Sequence, residues 1–314
     1  VRDCGDQNGV LFALRKATES SILDGPRLLL CGPPLTMSGG HANFLGGVAD
    51  GSHEIVRTVR QRIASGADFI KLIGTGGGTP GTHPAHAAYS RAEVNAAVAV
   101  APRGGLPVAG HCRGTPGIVN ALEAGVDQIE HACFEQPDGT LAFDPELAQR
   151  MGLAGVVVTP TIQLYRDALD HLVNTAVDQE LNASEHDHLG RLPGIIDAKF
   201  EALQGFLAAG IPVVAGNDAG LPYTEFGCFW QELGAMVAGG MTAMQAITAA
   251  TKIAARAARM EDQIGSIQPG KQADLLIVDG NPTADITALS RVRMVMQAGR
   301  VVFYKIDGDG AKNQ

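Results

Sequence analysis

The sequence predicts an α/β chain built as a (β/α)8 TIM-type barrel with a small β-sandwich appendage, and three observations carry that reading. Short apolar runs alternate with amphipathic helical patterns from the amino terminus to about residue 258. Lys71, His111, His131 and Asp218 each stand at or just past the carboxyl end of a different apolar run. Beyond residue 258 the pattern changes to short strands joined by Gly- and Asp-rich turns.

Taken in order, the candidate barrel strands are 1–4, 27–32, 69–73, 107–112, 128–131, 156–159 and 212–216. They number seven, whereas a closed barrel of this type has eight. Between them, Ile55, Val56, Val59 and Ile63 fall on one stripe, as a helix lying against a sheet requires. Ser90 with Glu93, and Thr242 with Gln245, have the spacing of capping boxes ahead of Ala-rich helices. The stretch 165–209 is the most polar and reads as helical, mostly surface-exposed and near the barrel mouth. Strands are expected again at 273–278, 292–298 and 300–304. The resulting division is a barrel over 1–258, part of a β-sandwich over 259–304, and a loose tail over 305–314.

Composition narrows the partners. A formal net charge of −9 without any basic run argues against nucleic acid, which demands a concentrated positive surface. No apolar stretch reaches the roughly 18 to 20 residues that span a bilayer, so no membrane partner is expected. The five Cys (4, 31, 112, 133 and 228) are widely spaced and contain no CxxC, which speaks against a disulfide framework and for a cytoplasmic setting. A small-molecule or dipeptide-like substrate is the expected partner, and the sequence leaves room for a homo-oligomer.

The four strand-end residues each have a plain structural reading when taken singly. Lys71 reads as a strand-end charge, His111 and His131 as core histidines, and Asp218 as a turn former. Their recurrence at successive strand ends points instead to a site, because barrel active sites are built at that face. Imidazole and carboxylate suit Zn²⁺ and similar metals, which lower the pKa of bound water to about 7. An ordinary Lys, protonated at neutral pH, is a poor ligand until its amine is changed.

The segments around these residues carry a resemblance. Phe69-Ile70-Lys71-Leu72, His111 after Pro107-Val108-Ala109-Gly110, Ile129-Glu130-His131, Gly216-Asn217-Asp218-Ala219-Gly220 and the long run 265–279 occur in this order. Together they resemble the amidohydrolase superfamily, in its imidazolonepropionase-related branch that includes Xaa-Pro dipeptidases (prolidases). Gly39-Gly40-His41, Ala49-Asp50-Gly51, Gly66-Ala67-Asp68 and Ala124-Gly125-Val126-Asp127 add to the likeness, which runs over nearly all of the chain. The resemblance implies that Lys71 is carboxylated and bridges two metals, that His111 and His131 hold one of them, and that Asp218 contacts the other as general base and acid. It further implies hydrolysis of an amide or dipeptide-like C–N bond by a metal-held hydroxide.

The chain departs from that pattern in places. The family's first strand ends in His-x-His, and no such pair stands at a strand end here; His186-Asp187-His188 has the spacing but lies in the polar helical stretch. The opening resembles the family's second strand, so the first βα unit is expected upstream of Val1. Arg113 replaces a second His after strand five, and Asn217 replaces the usual Thr. Arg113, His41 and Tyr165 are candidate substrate contacts, each with an equally ordinary surface or core role open to it. Two other functions stay open: a catalytically impaired barrel kept as a structural or interaction subunit, and a hydrolase of a non-peptide amide, carbamate or ester.

Overall fold

The computed structural model describes residues 1–305, so the tail expected from 305 to 314 lies, after its first residue, outside the described residues. The chain divides into two compact units, Val1–Val158 and the remainder from Thr159.

The first unit runs β1 (Arg2–Asp3), α1 (Val10–Glu19), β2 (Leu29–Leu30), α2 (Gly51–Ala64), β3 (Ile70–Ile73), α3 (Arg91–Val100), β4 (Val108–Gly114), α4 (Thr115–Ala124), β5 (Gln128–Glu135) and α5 (Pro145–Leu153), and β6 (Val157–Thr159) ends at the boundary. β1 pairs with β2 in parallel, and a second sheet has the order β3-β4-β5-β6, with parallel β3–β4 and β4–β5 ladders. Every residue of β3 and β5 is buried, and in β4 only Arg113 is partly exposed. Strands covered on both faces belong in an α/β layer architecture, and their nearly continuous apolar sequence reflects it.

The fold is α/β with a parallel sheet, but the seven strands expected of a barrel lacking its first unit do not form one continuous sheet, and no closed barrel is present among the described residues. Pro33 and Pro34, which offer no N–H, interrupt the chain just after β2. The seam is carried instead by Asp68 N–H to Leu30 O and by an isolated parallel bridge at Leu35, whose N–H donates to Lys71 O and whose O accepts from Ile73 N–H, all at 2.8 Å. Cys31, Phe69 and Ala109, with Cys4 against them, pack as one apolar cluster across these strands.

The local signals hold where they are strongest. Ser90 caps α3 in a reciprocal box with Glu93. α2 buries Ile55, Thr58 and Val59, while Val56 and Ile63 of the expected stripe are half-buried.

The second unit holds α6 (Gln163–Asp178), α7 (Ala183–Ala208), α8 (Trp230–Ala238), α9 (Ala243–Ala250) and α10 (Lys252–Ala257), followed by the antiparallel sheet β7 (Leu275–Val278), β8 (Val292–Gln297) and β9 (Arg300–Tyr304). Thr242 and Gln245 form the second capping box, at α9. The polar stretch is helical as expected, but α6 and α7 are not merely a surface pair. Tyr165, Ala168 and Leu172 of α6 bury against Leu192 and Ile196 of α7, with Leu181 between them. His186 and His188 stay exposed on α7, away from that core.

The strand expected at 212–216 is not formed. Pro212 cannot donate to a ladder, and Ala215 N–H bonds to Ala249 O at the end of a helix (3.3 Å). No helix among the described residues is long and apolar enough to cross a membrane.

Candidate active site

Three adjacent strands of the first unit carry the candidate residues, which lie within the strands and not at their ends. In the ladders Ile73 stands opposite His111, and Cys112 opposite His131, so parallel pairing lays β3, β4 and β5 side by side. Lys71, His111 and His131 are all buried there. The two imidazoles lie edge to face with ring centroids 4.5 Å apart. His111 Nε2 lies 3.2 Å from Gly76 O. A carbonyl only accepts, so in the neutral ring Nε2 carries the proton and Nδ1 keeps a lone pair. Burial is the main cause that holds His111 well below the usual imidazole range, with His41 and Lys71 adding to it. β5 ends in strained backbone: His131, Ala132 and Phe134 have φ of 72°, 43° and 54°. Non-glycine residues held there cost on the order of 1–3 kcal/mol each and concentrate at functional sites.

Glu130 is a member of the cluster that sequence reasoning quoted only as part of a motif. Its buried Oε1 accepts from Arg2 Nη1 at 3.1 Å and faces Lys71 Nζ at 3.8 Å. Arg2 in turn stacks over Phe69, 4.1 Å from the ring centroid. An acidic residue between Ile129 and His131 in an expected strand was the available signal, since a buried carboxylate needs a cation. Glu130→Ala is expected to destabilise the protein by about 3 kcal/mol, because it strips the counter-charge from the Arg2 guanidinium. Urea unfolding at neutral pH measures this, and a loss below about 1 kcal/mol would contradict the arrangement.

His41 joins the same cluster. Its ring centroid is 4.7 Å from that of His111. Thr79 N–H donates to His41 Nδ1 (3.3 Å), and Thr79 Oγ1 lies 2.8 Å from the same atom. Nδ1 is therefore the acceptor, and the neutral ring presents Nε2–H. Gly77 makes room for this ring, since a Cβ there would sit 2.6 Å from His41 Nε2.

Burial, then Arg113 and Lys71, lower the pKa of His41 from 6.5 to about 4. The unfolded chain thus binds more protons than the folded one between these values, and stability falls as pH drops from 6.5 towards 4. His41→Gln is expected to flatten that acid limb. Urea midpoints at pH 7 and pH 5 check it, and an unchanged difference between them would count against a buried neutral His41.

Arg113 is engaged within the protein: its Nη2 donates to the buried Glu135 Oε2 at 2.9 Å, and its backbone N–H to Thr75 Oγ1 at 3.0 Å. Asp218 and Tyr165 belong to the second unit. Asp218 has φ 55° and is half-buried in the turn after 212–216. Tyr165 is buried on α6 beneath Lys199, whose Nζ is 5.3 Å from its ring centroid.

Among the described residues, no three His, Cys, Asp or Glu side chains gather as a ready metal site. As candidate donors the first-unit cluster offers the imidazoles of His111 and His131 and the Lys71 amine, with the His41 ring and the Glu130 carboxylate beside them. That donor set fits a single divalent ion once the Lys71 amine carries a carboxylate, because His111 Nδ1 is left as a lone pair and the amine is enclosed beside it.

Three comparisons bear on this geometry. The amidohydrolase family profile matches residues 1–302. A solved Xaa-Pro dipeptidase with methionine bound in its active site is 32% identical, with a TM-score of 0.83 over 96% of this chain and 74% of that one. A prolidase complexed with N-methylphosphonate-L-proline is 26% identical, with a TM-score of 0.78 over 97% of this chain and 75% of that one. Ochratoxinase of Aspergillus niger is 26% identical over 318 residues, covering 92% of this chain. The chain spans 62% of the length of that curated relative.

Proposed function

Because the chain belongs to the amidohydrolase family, we propose that it hydrolyses the C–N bond of an amide or dipeptide-like small molecule with the help of a divalent metal, zinc by ligand type. The observation that carries this reading is the burial of Lys71, His111 and His131 on three adjacent parallel strands, with the two imidazoles in contact. The likeness to a Xaa-Pro dipeptidase and a prolidase supports the dipeptide-like substrate. On this reading 1–258 is the hydrolase barrel and 259–304 the β-sandwich part.

His111 through Nδ1, His131, and Lys71 as its carbamate would hold the metal. When bound, the metal supplies a Lewis acid that polarises a carbonyl and acidifies water near neutral pH. Glu130 keeps Lys71 in place: a carbamate retains one N–H on Nζ, and Glu130 Oε1 faces that atom. Asp218 would serve as general base and acid, the role that the family resemblance gives it. His41 stays neutral at pH 7 and offers Nε2–H to a substrate oxygen. Arg113, braced by Glu135, orients a substrate carboxylate. Tyr165 on α6 is a further substrate contact in this reading.

The test is hydrolysis of a panel of N-acyl amino acids and Xaa-Pro dipeptides by purified protein, with carbamates and esters alongside. Turnover of an amide that a chelator abolishes and zinc restores is expected. Turnover confined to the carbamates or esters would move the substrate class. None at all in zinc-loaded protein would overturn the reading.

A further inference from the structure

His41 and Thr79 lie in two loops of the first unit, 38 positions apart in the chain. Both donors of Thr79 converge on one ring nitrogen. Its hydroxyl oxygen lies 2.8 Å from His41 Nδ1, and its backbone N–H donates to the same atom at 3.3 Å. The hydroxyl is itself oriented, because Ala42 N–H donates to Thr79 Oγ1 at 3.1 Å and leaves the single hydroxyl proton for Nδ1. The carbonyl of Thr79 is held too: it accepts from Thr82 N–H at 3.2 Å and from the Thr82 hydroxyl at 2.7 Å. On the other side the Thr36 hydroxyl donates to His41 O at 2.7 Å, which fixes the backbone that carries the ring.

The loop that brings Thr79 here follows β3 and approaches the ring through glycine. The imidazole lies on Gly77, where a Cβ would come 2.6 Å from Nε2, 2.7 Å from Cδ2 and 2.8 Å from Cε1. A Cβ at Gly76 would meet the loop's own return strand, 2.4 Å from His83 O.

Tying this loop to the 41–42 turn needs one hydrogen bond, and Ala42 N–H supplies it. The two donors on Nδ1 do something that a tie does not require. A backbone N–H cannot reverse its role, so a proton on Nδ1 would face another N–H, and the neutral ring keeps its proton on Nε2. Turning the ring over would set a carbon against both donors, so its orientation is fixed as well. Nε2 makes no hydrogen bond among the described residues, and the ring packs against that of His111, 4.7 Å between centroids.

We propose that Thr79 is a positioning residue of the substrate site: it fixes the orientation and tautomer of His41, so that the ring meets a substrate oxygen as an Nε2–H donor. This rests on the hydrolase reading above.

The experiment compares the whole chain, labelled with ¹⁵N-histidine, as wild type, Thr79→Ser and Thr79→Val at neutral pH, with His41→Gln to assign the His41 signals. Wild type should show one His41 tautomer, protonated at Nε2, with Nδ1 at the position of a hydrogen-bonded acceptor. Thr79→Val removes the hydroxyl and sets a methyl group against Nδ1. Its Nδ1 signal should move towards that of an unbonded nitrogen, or a second tautomer should appear. In the same variant kcat/KM on the best panel substrate should fall about tenfold, the equivalent of one lost hydrogen bond. Thr79→Ser should return the Nδ1 signal to its wild-type position and kcat/KM to within about twofold. If the valine variant does not fold, Thr79→Ala removes the hydroxyl without adding bulk and carries the same test. A purely structural tie would lower the urea midpoint of Thr79→Val while the His41 signals of the folded protein stay as in wild type. That result overturns the proposal, as does a change in the signals without a change in kcat/KM. Wild type that hydrolyses nothing in the panel defeats the hydrolase reading and the positioning role with it. That failure is distinct, because it occurs before any substitution.

Discussion

Replacing His111 or His131 by alanine is expected to lower kcat/KM on whichever amide the chain hydrolyses by at least about 10³-fold, on the order of 4 kcal/mol of transition-state stabilisation. The cluster has only two imidazoles in ligand position, 4.5 Å apart, and the third donor is a lysine that must be modified to serve. Removing either ring leaves too few ligands for a tight site, so zinc content and activity should fall together. The packing cost is separable. His111 is buried between His41 and His131, and its alanine variant also opens a cavity. Added zinc at high concentration should restore part of the activity if ligation is the main loss. A variant that keeps its zinc and more than about a tenth of its activity would contradict the assignment.

Asp218→Asn is expected to lower kcat by about 10² to 10⁴-fold with little change in stability. The substitution keeps the size of the side chain, and Asn tolerates the left-handed backbone that Asp218 adopts. What it removes is the carboxylate that accepts and returns a proton. Zinc should therefore remain in the first-unit cluster of this variant, in contrast to the histidine variants. Steady-state kinetics with metal analysis on the same preparation separates the two behaviours. A drop of less than about tenfold would reassign the proton transfer to another group.

Much of the first unit was legible because its signals are local. The apolar runs at 69–73, 107–112 and 128–131 become β3, β4 and β5, and each carries one of the residues Lys71, His111 and His131 within it. Ser90 and Thr242 cap their helices because a capping box is complete within four residues. What escaped depends on distant partners. Glu130 meets Arg2 from 128 positions away, and nothing beside it in the chain announces a cation. Glu232 caps α6 across about 70 positions, so its own helix reads as an ordinary amphipathic segment with a stray charge.

The strand at 212–216 failed for a different reason. Its apolar content was read correctly, as the buried Val213, Val214 and Ala215 show, but its hydrogen bonding goes to a helix end. Barrel closure was likewise beyond the alternation of runs. Alternation announces βα units, yet whether neighbouring strands form long ladders turns on details such as Pro33-Pro34 after β2.

The central claim is that Lys71, His111 and His131 form a metal site with a carboxylated lysine. It is tested most directly by zinc stoichiometry and ¹³C NMR on protein prepared with ¹³C-bicarbonate, comparing wild type with Lys71→Ala and His111→Ala. The account predicts at least about one zinc per wild-type chain, a carbamate carbon signal that Lys71→Ala abolishes, and loss of zinc in both variants. A wild-type chain without zinc or carbamate that still cleaves its substrate in the presence of chelator would contradict it.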